Sequence, residues 1–282
     1  MVSIIIINYN DKKRIRRAIN SALNQTYNDI EVIMVDDGSD KETREIYKEF
    51  SAIKVVQLER DDLQARTPSR ARNAGIEASK GDYICVLDSD NYFASTYIED
   101  LVKLNSDVAY CNWEIVGKQE YKVNIEQVWD QGKSILENYL KHTHLDHQCI
   151  LIKREYLDKC GHYDERLPRS QDCDLLVRLM LNDGKWAHCS KKLFTFEKHE
   201  DDQMKTIASL HGKTLWTLKN NINYTWLMGI CSQSPYYLAS FIKGIKDFTE
   251  NKEWKEEFNN SQFKEMLLSH NEILTGEKQE VA

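Results

Sequence analysis

The sequence predicts an α/β fold: a Rossmann-like mixed sheet flanked by helices, with a C-terminal helical extension. Three observations carry this reading. Over the first ninety or so residues, short β-branched runs alternate with helical stretches, as in a parallel sheet covered by helices. The fourth of these runs, Tyr83 to Leu87, is almost continuously apolar, the mark of a strand buried on both faces. Acidic turn residues follow two of them directly, at the edge where open α/β sheets bind ligands.

Val2 to Ile7 is the first strand. Asp11 to Leu23 follows as a helix, with Ile15, Ala18, Ile19, Ala22 and Leu23 on one face for packing against the sheet. Ile30 to Val35 is the second strand, stopped by Asp36, Asp37 and Gly38, residues that favour turns. A helix through Tyr47 leads to a third strand, Ile53 to Leu58. After a polar loop containing Arg60, Arg66 and Pro68, a small-residue helix runs through Ala71, Ala74, Ile76 and Ala78, with Gly81 as its expected stop. Tyr83 to Leu87 is the fourth strand, which places Asp88-Ser89-Asp90 at its carboxyl end.

From about residue 91 the pattern loosens. A helix is expected near Thr96 to Leu104, extended stretches near Val108 to Val116 and Cys149 to Ile152, and a helix over Asp174 to Leu181. The expected organisation is a domain over residues 1–200, made of a nucleotide-binding half (1–91) and an acceptor-binding half (92–200) on one sheet. Residues 201–282 read as an aromatic helical region.

Composition narrows the function classes. A formal charge of −7 argues against a protein devoted to the nucleic-acid backbone, while leaving room for a local basic pocket. Seven cysteines without paired spacing fit neither a disulfide framework nor a zinc ribbon, and suit reduced thiols. The run after Met1 lacks a basic lead-in and a cleavage site, and no apolar stretch reaches the length of a membrane span. A cytoplasmic protein is expected.

Two acidic clusters, Asp36-Asp37 and Asp88-Ser89-Asp90, should share one rim of the sheet. Carboxylates gathered there repel unless a cation or a donor-rich ligand lies between them, and hard oxygen ligands favour Mg²⁺ or Mn²⁺. A magnesium-type site takes its remaining ligands from water and substrate phosphates, so a phosphorylated substrate is implied. The alternative is that these aspartates only make turns or cap helices.

Five ordered blocks then become informative together: SIIIINYN, SALNQTYNDIEVIMVDDGSD, SRARNAGIEASKGDYICVLDSD, HQCILIKREYLDKCGHYDERL and SQDCDLLVRLMLNDG. Over about residues 2–200 the chain resembles the family 2 glycosyltransferases, inverting enzymes of the GT-A fold that use nucleotide sugars. The resemblance implies that Asp37 accepts the uracil N3 hydrogen of a UDP-sugar, with Asp36 supporting the pocket and Tyr9 offering a flat face to the base. It places Arg72 and Asn73 near the donor phosphates, assisted by Arg66, although Thr67-Pro68-Ser69 departs from the family's usual Gly-rich lead-in. Asp88, Ser89 and Asp90 match the motif that meets ribose and metal, with Asn91 where a further aspartate is common. His199 falls where some relatives supply another metal ligand.

Asp172 matches the family's catalytic base, with Gln171 where relatives often carry glutamate; helix capping is its alternative role. His142, His144 and His147 fit no common zinc spacing, and His147 is expected to face the donor diphosphate or acceptor. The implied activity is metal-dependent, inverting transfer of a hexosyl group from a UDP-sugar to a hydroxyl of a glycan, lipid-linked or protein-linked acceptor, as in polysaccharide biosynthesis. Two alternatives stand beside it. One is a noncatalytic partner subunit that binds nucleotide sugars. The other is a sugar-nucleotide nucleotidyltransferase, against which INYNDKKR lacks a Gly-rich triphosphate loop. The C-terminal helices are open to core packing, a homo-oligomer interface, or peripheral contact with the inner face of a membrane.

Overall fold

The computed structural model describes residues 1–59, 68–117, 122–125, 135–136, 139, 145–165 and 171–198. All of them belong to the first of two units into which the chain divides, Met1–Ser209. Arg60, Arg66, His142, His144, His199 and the expected helical region 201–282 lie outside the described residues.

In chain order the elements are β1 (Val2–Asn8), α1 (Ile15–Leu23), β2 (Ile30–Asp36), α2 (Lys41–Tyr47), β3 (Ile53–Gln57), α3 (Pro68–Ala78), β4 (Tyr83–Asp88) and β5 (Tyr92–Phe93). They continue with α4 (Tyr97–Val102), β6 (Val108–Val116), β7 (Lys122–Ile125), a 3-10 turn (His147–Cys149), β8 (Ile150–Lys153), α5 (Arg154–Cys160), α6 (Gln171–Leu181) and β9 (Trp186–Glu197). The sheet runs β3-β2-β1-β4-β8-β6-β9-β5, with β7 paired to β6. Strands β3, β2, β1 and β4 are mutually parallel, as the alternating pattern predicts. β8 is antiparallel to both β4 and β6, so the second half of the chain extends the same sheet and makes it mixed.

The isoleucine run of β1 sits at the middle of the parallel part. Ile4, Ile5 and Ile6 are fully buried, as are Ile33 and Met34 of β2 and Leu87 of β4. Each such side chain contributes about 1.5–3 kcal/mol by leaving water. α1 buries Ile15, Ala18, Ile19 and Ala22, the face read from the sequence. It begins at Ile15 and not at Asp11, because the Asp11 carboxylate accepts from the Arg14 backbone N–H at 3.3 Å and from Arg14 Nε at 2.7 Å, forming a turn ahead of the helix.

Gly81 plays a different part from the expected helix stop. α3 ends at Ala78, and Gly81 is not among the glycines with positive φ, Gly38 and Gly161. Its value is close approach: a Cβ there would lie 2.6 Å from Ser3 N and 2.9 Å from Val2 C, both backbone atoms. Gly81→Ala is expected to destabilise the fold by about 1–3 kcal/mol through overpacking, read by denaturant unfolding.

The long strand β9 had no clear mark in the sequence. Lys191 and Lys192 interrupt its apolar pattern, and both are exposed on the solvent side. Six described cysteines are free thiols, three of them buried; Cys231 lies outside the described residues. Among the described residues no helix is long and apolar enough to cross a membrane.

Candidate active site

Strand register brings the acidic residues together. Asn8 of β1 pairs with Asp36 of β2, and Ile7 pairs with Asp88 of β4, so both acidic clusters leave the sheet at one level. Backbone bonds hold the departing turns: Asp37 N donates to Asn8 O at 2.9 Å and Ser89 N to Ile7 O at 3.1 Å. Gly38 follows with φ of +76°, a conformation that favours glycine.

Asp36 and Asp37 have separate tasks. Asp36 is fully buried; its carboxylate accepts from the Tyr47 hydroxyl at 2.9 Å and from Ser39 N at 3.3 Å, and pairs with Arg44 Nε at 3.3 Å. Tyr47 in turn accepts from Asn8 Nδ2 at 2.7 Å. This network locks the ends of β1 and β2, so Asp36 supports the pocket from behind. Asp37 lines the cavity itself.

That cavity measures about 360 Å³, and its walls include Tyr9, Asp37, Arg72, Asp88, Ser89 and Asp90. Tyr9, at the wall of this cavity, is 40% exposed. Arg72 is 5% exposed, and its Nη2 donates to Asp88 Oδ1 at 3.0 Å and Oδ2 at 3.3 Å. Burial alone would raise the Asp88 pKa, but the positive charge of Arg72 outweighs it and holds the carboxyl below its ordinary range. Asp90 goes the other way: burial, then the negative charge of Asp88, push its pKa up to about 7. Arg17 fixes the Asp90 backbone by donating from Nη2 to its carbonyl at 2.8 Å, while stacking over Tyr92 at 4.5 Å.

Gln148 was not singled out in the sequence, and it is the clamp behind this wall. At 2% exposure, its Oε1 accepts from Asp88 N at 2.9 Å and Asn91 Nδ2 at 3.1 Å, and its Nε2 donates to Asp88 Oδ2 at 3.2 Å. Asn91 uses its other end to accept from Glu197 N at 3.0 Å. An aspartate at 91 would lose the donated bond, which gives a physical reason for the amide there. Gln148→Leu leaves the Asp88 N–H and the Asn91 amide unsatisfied in a dry site and is expected to destabilise the protein by about 1–3 kcal/mol per orphaned group, read by thermal unfolding.

Other expected site residues stand off the cavity wall. The Asn73 amide holds a neighbouring loop: Nδ2 donates to Tyr163 O at 2.8 Å and Glu165 Oε1 at 2.9 Å, and Oδ1 accepts from Tyr163 N at 3.0 Å. His147, expected to face the donor diphosphate or acceptor, is 4% exposed and faces Asp146 and Asp172, with Nδ1 at 3.4 Å and 3.9 Å from their carboxylates. Asp172 lies inside the first turn of α6, with its side chain 39% exposed. Tyr163, also missed, is buried between the two sides: Arg72 lies 5.2 Å over its ring, and His147 meets it edge-on at 6.0 Å.

Among the described residues no three histidine, cysteine or carboxylate groups form a ready-made metal cage. The donor set still fits a Mg²⁺ or Mn²⁺ ion that takes most ligands from water and phosphate. Asp90 is a hard oxygen donor whose burial beside Asp88 calls for positive charge, and Asp88, tied to Arg72 and Gln148, is the second donor at hand. β9 ends against the same turn through the Glu197 to Asn91 bond; His199, two residues further on, is outside the described residues.

Known proteins resemble this chain in sequence and in fold. An uncharacterized glycosyltransferase of Rickettsia prowazekii is 34% identical over 185 residues, covering 62% of this chain and 57% of that protein. The Escherichia coli UDP-Glc:alpha-D-GlcNAc-diphosphoundecaprenol beta-1,3-glucosyltransferase WfaP is 36% identical over 102 residues, 36% of this chain and 40% of that one. The chain thus spans about half the length of these relatives. Among solved structures, Staphylococcus aureus TarS in complex with UDP-GlcNAc superposes with a TM-score of 0.62 at 18% identity, covering 88% of this chain and 89% of that one. The Pyrobaculum calidifontis mannosyltransferase PcManGT, in complex with GDP-Man and Mn²⁺, gives 0.56 at 13% identity, covering 93% and 84%. These likenesses establish the GT-A fold. The glycosyl transferase family 2 model matches residues 3–161, more than half of the sequence, and the chain therefore belongs to that family of enzymes.

Proposed function

We propose that the protein transfers a sugar from a UDP-sugar to a hydroxyl of a glycan, lipid-linked or protein-linked acceptor, with inversion at the anomeric carbon and with a divalent cation. The observation that carries this reading is the convergence of Asp37, Arg72, Asp88 and Asp90 on one cavity at the carboxyl edge of the parallel strands. Asp37 supplies a carboxylate for a base N–H, beside the exposed ring of Tyr9. WfaP and the TarS complex, named for UDP-Glc and UDP-GlcNAc, support a UDP-sugar donor.

The difficult step is departure of the diphosphate as positive charge grows on the sugar ring. Arg72 places a guanidinium at the cavity wall, and its Nε has no hydrogen-bond partner among the described residues, so a phosphate oxygen would satisfy it. Asp88 and Asp90 would hold the cation, joined by His199 as the family resemblance implies. When bound, Mg²⁺ or Mn²⁺ supplies positive charge against the leaving group. Asp172 takes the proton of the attacking hydroxyl. A carboxylate is a weak base towards an alcohol, so the proton moves late, as the forming bond acidifies the hydroxyl. A single displacement then inverts the sugar.

The test is UDP release from a panel of UDP-glucose, UDP-galactose and UDP-N-acetylglucosamine with Mn²⁺ or Mg²⁺, alongside GDP-mannose. Guanine also carries a ring N–H, so the last donor checks whether Asp37 selects uracil. Release from one UDP-sugar, lost in chelator, is the expected result. A pure binding subunit releases no UDP, and a nucleotidyltransferase instead forms pyrophosphate from UTP and a sugar phosphate.

A further inference from the structure

His147 opens the 3-10 turn that leads into β8. Its imidazole is shut away from water, and neither ring nitrogen has a hydrogen-bond partner among the described residues. A buried imidazole without such partners is unfavourable unless nearby charges compensate. Here Nδ1 lies 3.4 Å from Asp146 Oδ1 and 3.9 Å from Asp172 Oδ2. Two acceptors on that side assign the ring proton to Nδ1. Asp146 is held in turn, since its Oδ1 accepts from Gln148 N at 2.8 Å. Tyr163 meets the ring edge-on at 6.0 Å, and the charges of Asp88 and Arg72 reach the same cluster.

We propose that His147 is a positioning residue for Asp172: its Nδ1–H holds Oδ2 of that carboxylate and leaves Oδ1 to receive the proton of the acceptor hydroxyl. This rests on Asp172 being the base. At 3.9 Å the pair is longer than a hydrogen bond, and such contacts commonly tighten once substrate is bound. Asp146, with its side chain 22% exposed against 39% for Asp172, faces the same Nδ1 at 3.4 Å and helps to orient the imidazole from that side. The proton of the hydroxyl passes to Asp172, the imidazole keeps its own proton, and the oxygen's electron pair forms the new bond as the bond to the diphosphate breaks.

The test compares His147→Ala, His147→Gln, Asp172→Asn and the double variant His147→Ala/Asp172→Asn in the UDP-release assay. His147→Ala is expected to lower the maximal rate about 10–100-fold, less than the roughly 10²–10⁴-fold that the base itself contributes, while KM for the donor and calorimetric affinity for UDP stay within about threefold. His147→Gln, which keeps a donor N–H, should recover part of the loss. In the Asp172→Asn background, His147→Ala should cost nothing more, because the two act as a unit. A full rate in His147→Ala, or the same loss repeated in the double variant, overturns the proposal while leaving the base assignment standing. Full activity in Asp172→Asn removes the base and the proposal with it. A second measurement needs no turnover: the ¹⁵N shift of His147 Nδ1 should change between wild type and Asp172→Asn, and an unchanged shift overturns the pairing.

Discussion

Asp90→Asn is expected to abolish cation-dependent UDP binding and, in chelator at pH 8, to make the protein more stable than wild type. The first effect follows from charge. Groups standing behind metal ligands typically contribute 10–100-fold to metal affinity, so loss of a ligand should exceed about 100-fold. Calorimetry with UDP and Mn²⁺ reads it, and unchanged affinity would remove Asp90 from the cation site. The second effect follows from the proton. Burial first, and Asp88 second, raise the Asp90 pKa from the ordinary 3.8 to about 7. A carboxyl raised in the fold holds its proton more tightly folded than unfolded. Its contribution to stability is fully present below pH 3.8 and is lost as pH climbs through about 7. At pH 8 the wild type must keep an ionised carboxylate where burial disfavours it, whereas asparagine carries no charge. The expected gain for the variant is about 1–3 kcal/mol after allowance for partial exposure, vanishing near pH 4. Thermal unfolding at the two pH values checks the sign. By the same proton competition, wild-type cation affinity should fall about tenfold for each pH unit below 7.

Asp172→Asn should lower turnover by about 10²–10⁴-fold, the usual reach of acid–base catalysis, and leave UDP binding close to wild type. The shape of the first turn of α6 survives the change, and Asp172 is not on the wall of the donor cavity. What disappears is the capacity to accept a proton. Loss of a negative charge near a helix N-terminus adds only about 0.3–1 kcal/mol of destabilisation, too small to unfold the protein. Rates of UDP release with a fixed donor, set beside calorimetric UDP affinity, separate the two effects. A variant that loses UDP binding as well would show that Asp172 supports the donor site.

The parallel half of the fold was legible because each of its strands is a separate apolar run ended by residues that disfavour strands. Val2–Asn8, Ile30–Asp36 and Tyr83–Asp88 fall within a residue of the reading. The antiparallel half was read less completely, since Lys191 and Lys192 lie within β9 and its partners are distant in sequence. For the site, chain position told which carboxylates leave the sheet together, but not which of two adjacent residues faces inward. Asp36 turns to Tyr47 and Asp37 to the cavity, a difference made by strand pleat and by a hydroxyl eleven residues away. Gln148 and Tyr163 escaped notice because a neutral side chain carries no sequence signal of such a role; only the contacts they make reveal it.

The insertion of β8 between β4 and β6 has a consequence for protein engineering. A fragment cut at residue 91 would bare the edge of β4 that β8 covers, and naked strand edges recruit one another into aggregates. The two halves are thus not interchangeable cassettes: a chimera joined there must preserve the seam from Tyr83 and Ile84 to Lys153 and Ile152, or the hybrid will precipitate before it can be assayed.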